Sequence, residues 1–313
     1  MDTNAIKIDR NSRCKQIMDK IKMKEPFFII GNPRSGTTLL RLMLNNHGDL
    51  IVPPECGFAV WFKDDFTEWE KRESKKVWID EFVEAVSSAR KIETWNINFE
   101  KLEEFIYERS PKSYAEAVSL VYIFYATRII GKSVVRWGDK NNFHIDHIGK
   151  IDEMFRYCNF LHIVRDGRDV ASSYKKVNQK NINTEYAPNL PSEIRDIAEE
   201  WSQNIKSINS SLRKVNSERK YELRYEDLVR DPHIELKKVC NFLGEEFDNK
   251  MLKYHRKNKE KKQEPKEFLE WKRKTLEPPS NDRVGVYREA LTQDERHTFN
   301  QISAPILEKY DYI

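Results

Sequence analysis

Cysteine is scarce and scattered in this chain. Its 313 residues contain only Cys14, Cys56, Cys158 and Cys240, and no two form a C-x-x-C pair. That spacing argues against a zinc site or a disulfide framework and points to a reducing compartment. Long hydrophobic runs are missing too: residues 120–126, among the longest, fall far short of the roughly 20 needed to span a bilayer. Residues 1–24 are polar and lack the apolar stretch of a secretory leader. The expectation is a cytoplasmic protein without a membrane span. Charge of one sign is also lacking, since the net value is +4, too mild to argue for a nucleic-acid partner. Internal repeats and low-complexity tracts are absent.

What is present is a charged exterior around an apolar core, with 34% charged and 39% hydrophobic residues. A chain of this length buries about three quarters of its unfolded surface and folds without staples. Four short apolar runs, at 27–30, 133–137, 160–164 and 221–225, read as buried strands. Helical periodicity or loop residues flank each of them. The fold class is therefore α/β, a central parallel sheet flanked by helices. Between the first two strands lies a long helical insert, residues 57–130, rich in aromatics from Trp61 to Tyr114. These rings either build the core of a helical subdomain or line a pocket. Residues 178–192, rich in Asn and Pro, read as a mobile surface loop. Helices are expected over 194–215 and 232–243. Residues 250–274 hold eleven Lys or Arg against four Glu, read as a solvated face with a polyanion contact as the alternative.

The most informative segment is 26–40, PFFIIGNPRSGTTLL. An apolar run stops at Gly31, turns through Asn32-Pro33-Arg34-Ser35-Gly36 and enters a helical run at Thr37. This is the layout of a phosphate-binding loop, where backbone N–H groups and a helix N-terminus converge on an anion. The nucleoside-triphosphate pattern keeps four residues between its glycines, then Lys and Ser or Thr. Here Thr37 takes the lysine's place and a cation, Arg34, stands inside the loop, which argues against a triphosphate. A second anion site is expected mid-chain. Arg165 ends the third strand and Ser173 follows eight residues later, so an arginine and a hydroxyl could grip one phosphate from two sides. Charge-assisted bonds of this kind contribute about 1.5–3 kcal/mol each. The alternative is a surface ion-pair cluster of Arg165, Asp166, Arg168 and Asp169.

Together, Pro33-Arg34-Ser35-Gly36-Thr37-Thr38 and Arg165-x7-Ser173 resemble the sulfotransferase superfamily, whose donor is 3′-phosphoadenosine 5′-phosphosulfate (PAPS). The resemblance implies a P-loop-like sheet in a single domain over 1–313, with the 57–130 insert shaping the acceptor pocket. It assigns Arg34, Ser35, Gly36, Thr37 and Thr38 to the 5′-phosphosulfate and Arg165 with Ser173 to the 3′-phosphate. Leu223-Arg224-Tyr225-Glu226-Asp227-Leu228-Val229 before Pro232 is similar to the family's YE-x-L-V segment, with Tyr225 near the adenine. Arg283-Val284-Gly285-Val286-Tyr287 is similar to its late basic-x-G element, placing Arg283 and Gly285 at the nucleotide.

Further details resemble the branch holding tyrosylprotein sulfotransferases and many bacterial carbohydrate or small-molecule enzymes. Pro54-Glu55 falls where that branch carries a catalytic glutamate. Trp137-Gly138-Asp139-Lys140 is similar to its G-(D/E)-K segment, although Asn141-Asn142 replace the usual proline. The implied activity is metal-independent transfer of SO₃ to an acceptor hydroxyl or amine, on a carbohydrate or glycolipid by preference, or on a small metabolite or tyrosine. Glu55 would take the acceptor proton, with His144 as the substitute base, while Lys140 and Arg34 balance the charge on the transferring group. The residues alone also allow Glu55 to be a capping or salt-bridging carboxylate, Lys140 a surface lysine, and Cys56 a small buried filler. A P-loop kinase or nucleotidase and a non-catalytic polyanion binder are the competing functions.

Overall fold

The computed structural model describes residues 23–69, 71, 75–180, 182, 184–261 and 263–313. Cys14 and nearly all of the polar stretch 1–24 lie outside them. Among the described residues five parallel strands form one sheet in the order β2-β3-β1-β4-β5. They are β1 (Phe27–Ile30), β2 (Leu50–Ile51), β3 (Arg136–Lys140), β4 (Asn159–Val164) and β5 (Lys220–Arg224). Every residue of β1 is buried, as a central strand covered on both faces requires.

Two differences from the sequence reading bear on function. The strand expected at 133–137 starts three residues later, so Lys140 is its last residue rather than part of a loop beyond it. The β-branched pair Val134-Val135 had drawn the expectation early. Those residues instead lead into the strand, with Val135 N donating to Asp49 O at 2.9 Å. The second difference is β2, whose two residues are too few to show any periodicity.

One face of the sheet carries α1 (Thr37–Asn45), packed on β1 and β2. On the other face the insert contributes α2 (Lys75–Ser88), α3 (Phe99–Arg109) and α4 (Tyr114–Phe124). Asn98 and Ser113 start α3 and α4 by accepting hydrogen bonds from Lys101 N and Glu116 N, which satisfies amides that the first turn leaves free. The insert's aromatics are mainly core: Phe66, Trp69, Trp78, Phe82, Trp95, Phe105 and Tyr114 are all buried. Their cluster runs continuously into the sheet. Tyr122 stacks on Trp137 of β3 at 4.0 Å between ring centres, and Trp95 meets Tyr122 edge-on at 5.3 Å.

After β4 come α5 (Gly167–Asn178) and α6 (Ile194–Arg213), and after β5 comes α7 (Pro232–Leu243). The chain then passes through α8 (Lys266–Lys272) to α9 (Gln293–Lys309), where Phe299 packs against Trp201 of α6. Among the described residues no helix is long and apolar enough to cross a membrane.

The Tyr122–Trp137 stack links the insert to the sheet. Tyr122→Ala is expected to destabilise the protein by about 3–5 kcal/mol, as large aromatic truncations in cores do. Urea unfolding of the variant and the parent measures it.

Candidate active site

The carboxyl ends of β1, β3 and β4 open onto one cavity of about 1310 Å3. Ligands in open α/β sheets bind at that edge. After β1 the chain closes a tight turn, with Ser35 N donating to Asn32 O at 3.2 Å, and enters α1 through Gly36 at φ 92°. A Cβ on Gly36 would stand 2.4 Å from the Tyr225 ring, so both backbone conformation and space call for glycine there. Because Ser35 N–H is used inside the turn, the amides available to an anion are those of Gly36, Thr37 and Thr38, at the helix N-terminus. Asn32 anchors the loop: its amide nitrogen donates to Tyr174 Oη at 3.2 Å, and Asn204 donates to its oxygen at 2.7 Å.

Arg34 sits in the left-handed region at φ 68°, which costs a residue bearing a Cβ roughly 1–2 kcal/mol. Its guanidinium donates to Ser173 Oγ at 3.2 Å and to Trp271 O at 2.9 Å. Arg165 donates to Arg34 O at 3.0 Å and to Arg283 O at 2.6 Å, with its guanidinium carbon 4.5 Å from the Tyr225 ring centre. The two expected anion sites are thus one continuous cradle, and Ser173 lies against Arg34. Among the described residues both guanidiniums donate only to neutral oxygens, and Arg165 Nε and Ser35 Oγ are buried without a partner. Burial, and then the charge of Arg165, pull Arg34 down to about 10.

Gly285 is not on the cavity wall. Its N–H donates to Asp169 Oδ2 at 2.7 Å and Tyr287 N donates to Oδ1 at 3.0 Å, so Asp169 ties the late element to α5 and presents Arg283 to the cavity. The Arg168–Asp166 pair is a buried salt bridge away from that wall.

Across the cavity stands Glu55. The Trp95 indole donates to Pro54 O at 3.1 Å and Arg41 donates to Val52 O at 2.9 Å, which fixes the backbone just before it. Its carboxylate binds the Lys140 ammonium, Lys91 Nζ at 3.1 Å and Lys272 Nζ at 3.4 Å. Burial opposes ionisation, but the charges of Lys140, Lys272 and Lys91 outweigh it and hold the carboxyl well below its ordinary 4.5. Lys140 is fully buried, not a surface lysine. Burial draws it down to about 8, against the pull of Glu55.

Other expected residues do not reach the cavity. His144 is completely buried, its Nε2 2.8 Å from Asp139 Oδ2, and is absent from the wall, so it is placed behind β3 rather than beside Glu55. Cys56 is fully buried, and burial pushes its thiol up to about 12. Of the insert, Arg90 and Lys91 reach the cavity. Its aromatic wall is Tyr186, Tyr225, Tyr254, Phe268 and Trp271, all later in the chain. Residues 186–190 of the loop expected to be a mobile surface segment also line it, while 181 and 183 lie outside the described residues. Among the described residues no cluster of three or more His, Cys, Asp or Glu could hold a metal ion.

Sequence reasoning missed Lys91 and Lys272. No local signal marks Lys91, which is placed by a left-handed backbone at φ 75°. Lys272 was hidden in the 250–274 charge run, of which it is a buried member rather than part of a solvated face. The side chains of 261 and 262 in that run lie outside the described residues.

Residues 26–249 match the model of a family described as the sulfotransferase family. Protein-tyrosine sulfotransferase A of Caenorhabditis elegans is 23% identical over 235 residues, covering 75% of this chain and 54% of that protein. The protein-tyrosine sulfotransferase of Drosophila melanogaster is 25% identical over 228 residues, 72% of this chain and 39% of that protein. The chain therefore spans about half the length of the first of these relatives and less of the second. Among solved structures, the sulfotransferase domain of the Synechococcus PCC 7002 olefin synthase superposes with a TM-score of 0.58 at 21% identity, covering 92% of this chain and 96% of that one. That likeness is one of fold.

The Glu55 carboxyl gives a pH signature. A depressed folded-state value stabilises the protein above the unfolded value of 4.5, and the stabilisation is lost as pH falls through the lower folded value. Glu55→Gln should therefore melt below the parent at pH 7, and the gap should close as pH drops below about 4.5. Calorimetry of both proteins across that range checks the sign.

Proposed function

The chain belongs to the sulfotransferase family, and from that premise we propose that it moves a sulfuryl group from PAPS to an acceptor hydroxyl, folding over 1–313 as one domain. The observation that carries this reading is the pairing of Arg34 and Arg165 in one cradle with no carboxylate bound to either guanidinium among the described residues. Two cations without an ion-pair partner favour a ligand that brings at least two anionic groups. PAPS does, and the unpartnered Arg165 Nε is a donor in keeping with it, whereas Ser35, fully buried and absent from the cavity wall, is not.

In this reading the N–H groups of Gly36, Thr37 and Thr38 hold the 5′-phosphate, with the helix dipole adding roughly 0.3–1 kcal/mol. Arg165 and Ser173 hold the 3′-phosphate, Tyr225 packs beside the adenine, and Arg283 closes that end. PAPS supplies an activated sulfuryl group whose bond to the 5′-phosphate oxygen breaks as the acceptor oxygen bonds to sulfur. Arg34 and Lys140 balance the charge on the departing phosphate and the sulfuryl oxygens. Glu55 takes the acceptor's proton. At rest its carboxylate is engaged by three ammoniums, which makes it a weak base. Anionic donor oxygens that compete for Lys140 free it for the task. The fixed cations carry this charge without a metal.

The acceptor enters past Arg90, Lys91, Lys180 and Tyr186. Asn141, Asn142, Gln179 and Asn189 on the same wall favour a polyhydroxylated acceptor, a carbohydrate or its lipid conjugate, because amides both donate to and accept from hydroxyls. The basic rim and the curated relatives support a second reading, a tyrosine in an acidic segment.

3′-Phosphoadenosine 5′-phosphate, at about 100 times its dissociation constant, should stabilise the fold by roughly 2.7 kcal/mol. Arg165→Ala should weaken it roughly tenfold to a hundredfold, the loss of one charge-assisted contact. Sulfuryl transfer to a panel of oligosaccharides and acidic tyrosine peptides should persist in EDTA and fall about 10²- to 10⁴-fold in Glu55→Ala. Loss of all turnover on chelation, or no stabilisation by the bisphosphate, would point to a P-loop kinase or a polyanion binder instead.

A further inference from the structure

Lys272 ends α8, beyond the 26–249 span of the family match. Its side chain is only 9% exposed, and its ammonium lies 2.6 Å from Glu264 Oε1 and 3.4 Å from Glu55 Oε1. The Phe268 ring covers it, 4.8 Å from ring centre to Nζ. Glu264, 2% exposed, binds Arg41 of α1 through its other oxygen. Arg41 in turn donates to Val52 O and to Gln263 O. A buried alternation of charge thus runs Arg41, Glu264, Lys272, Glu55, Lys140. It links the helix of the phosphate loop, the late segment of the chain and the carboxyl end of β3. Removing one member of such a chain leaves its neighbours uncompensated, so its geometry is set by the whole rather than by any single pair.

We propose that Lys272, held by Glu264, is a positioning residue for sulfuryl transfer that fixes the place and the charge environment of the Glu55 carboxylate. This rests on the sulfotransferase reading of the site and deepens it. Lys272 comes from a different element than the other cations around Glu55. Lys140 projects from β3, Lys91 from the turn before the short helix Ile92–Trp95, and Arg34 from the phosphate loop. Glu264 is a further carboxylate near this group, and the charge of Glu55 acts on it against the pull of Lys272 and Arg41. Two lysines still pin Glu55 when Lys272 is neutralised. Its loss therefore loosens and recharges the carboxylate without releasing it, and the donor cradle of Arg34 and Arg165 is untouched.

The test compares Lys272→Gln and Lys272→Arg with the parent. Bisphosphate binding is followed by melting, and acceptor kcat/KM is measured against pH at saturating donor. Lys272→Gln should bind 3′-phosphoadenosine 5′-phosphate within about twofold of the parent, lose roughly tenfold in kcat, and show its acid limb about one pH unit higher. Lys272→Arg, which keeps the charge, should return the limb to the parent position and also serves if the glutamine variant does not fold. A Lys272→Gln profile that superimposes on the parent's, or a loss of bisphosphate affinity matching the loss of turnover, overturns the proposal. For Lys272→Arg alone, a limb displaced like that of a charge loss does the same. A parent protein that binds the bisphosphate but transfers nothing, or binds nothing, fails the underlying reading first and takes this proposal with it.

Discussion

Two arginines are forced together at the carboxyl edge of the sheet, and the rest of the site follows from that. Arg165, at the end of β4, donates to the carbonyl of Arg34, which is held in a left-handed conformation in the loop after β1. Like charges at this spacing in a partly desolvated cavity repel, and the depression of Arg34 to about 10 registers burial first and Arg165 next. The fold holds them there through parallel pairing of β1 with β4, the turn closed on Asn32, and the carbonyls of Trp271 and Arg283. A ligand carrying two anionic groups relieves that repulsion, which is the physical basis for reading the cavity as a bisphosphate site.

The opposite wall is built on a different principle. There a single carboxylate, Glu55, is surrounded by three ammoniums, and a second buried carboxylate, Glu264, restrains one of them. The wall at Glu55 is therefore ion-paired internally, whereas Arg34 and Arg165 have no ion-pair partner among the described residues. A ligand that drew Lys140 away from Glu55 would thereby couple its own occupancy to the proton affinity of that carboxylate. Asp169 performs the structural counterpart on the donor side by holding the amides of Gly285 and Tyr287.

Much of this was legible in the chain. The Gly31-to-Gly36 spacing, Arg34 in the lysine's stead and the Arg165-x7-Ser173 interval placed a loop and a strand end where the structure has them. Other parts were not legible, for identifiable reasons. Strand β3 was expected three residues early because β-branched composition marks a strand without marking its register. Ser35 was counted as an anion donor because a turn's internal hydrogen bond cannot be read from residue types. Lys272 was assigned to solvent because a run of charge is amphiphilic in sequence and one-sided only once α8 is docked. The aromatics of the insert read mainly as core, but residue types alone could not say which of them would line a pocket, and packing decided that.

What the sequence by itself determined was local chemistry. It specified a glycine where a left-handed residue must abut a ring, a cation inside a phosphate loop, and apolar runs long enough for a parallel sheet. What only the tertiary structure decided was which charges meet. Glu55, Lys91, Lys140 and Lys272 are separated by up to 217 residues in sequence and converge within ion-pair distance. Electrostatic interaction depends on separation in space and on the water excluded around it, and neither quantity exists until the chain has packed.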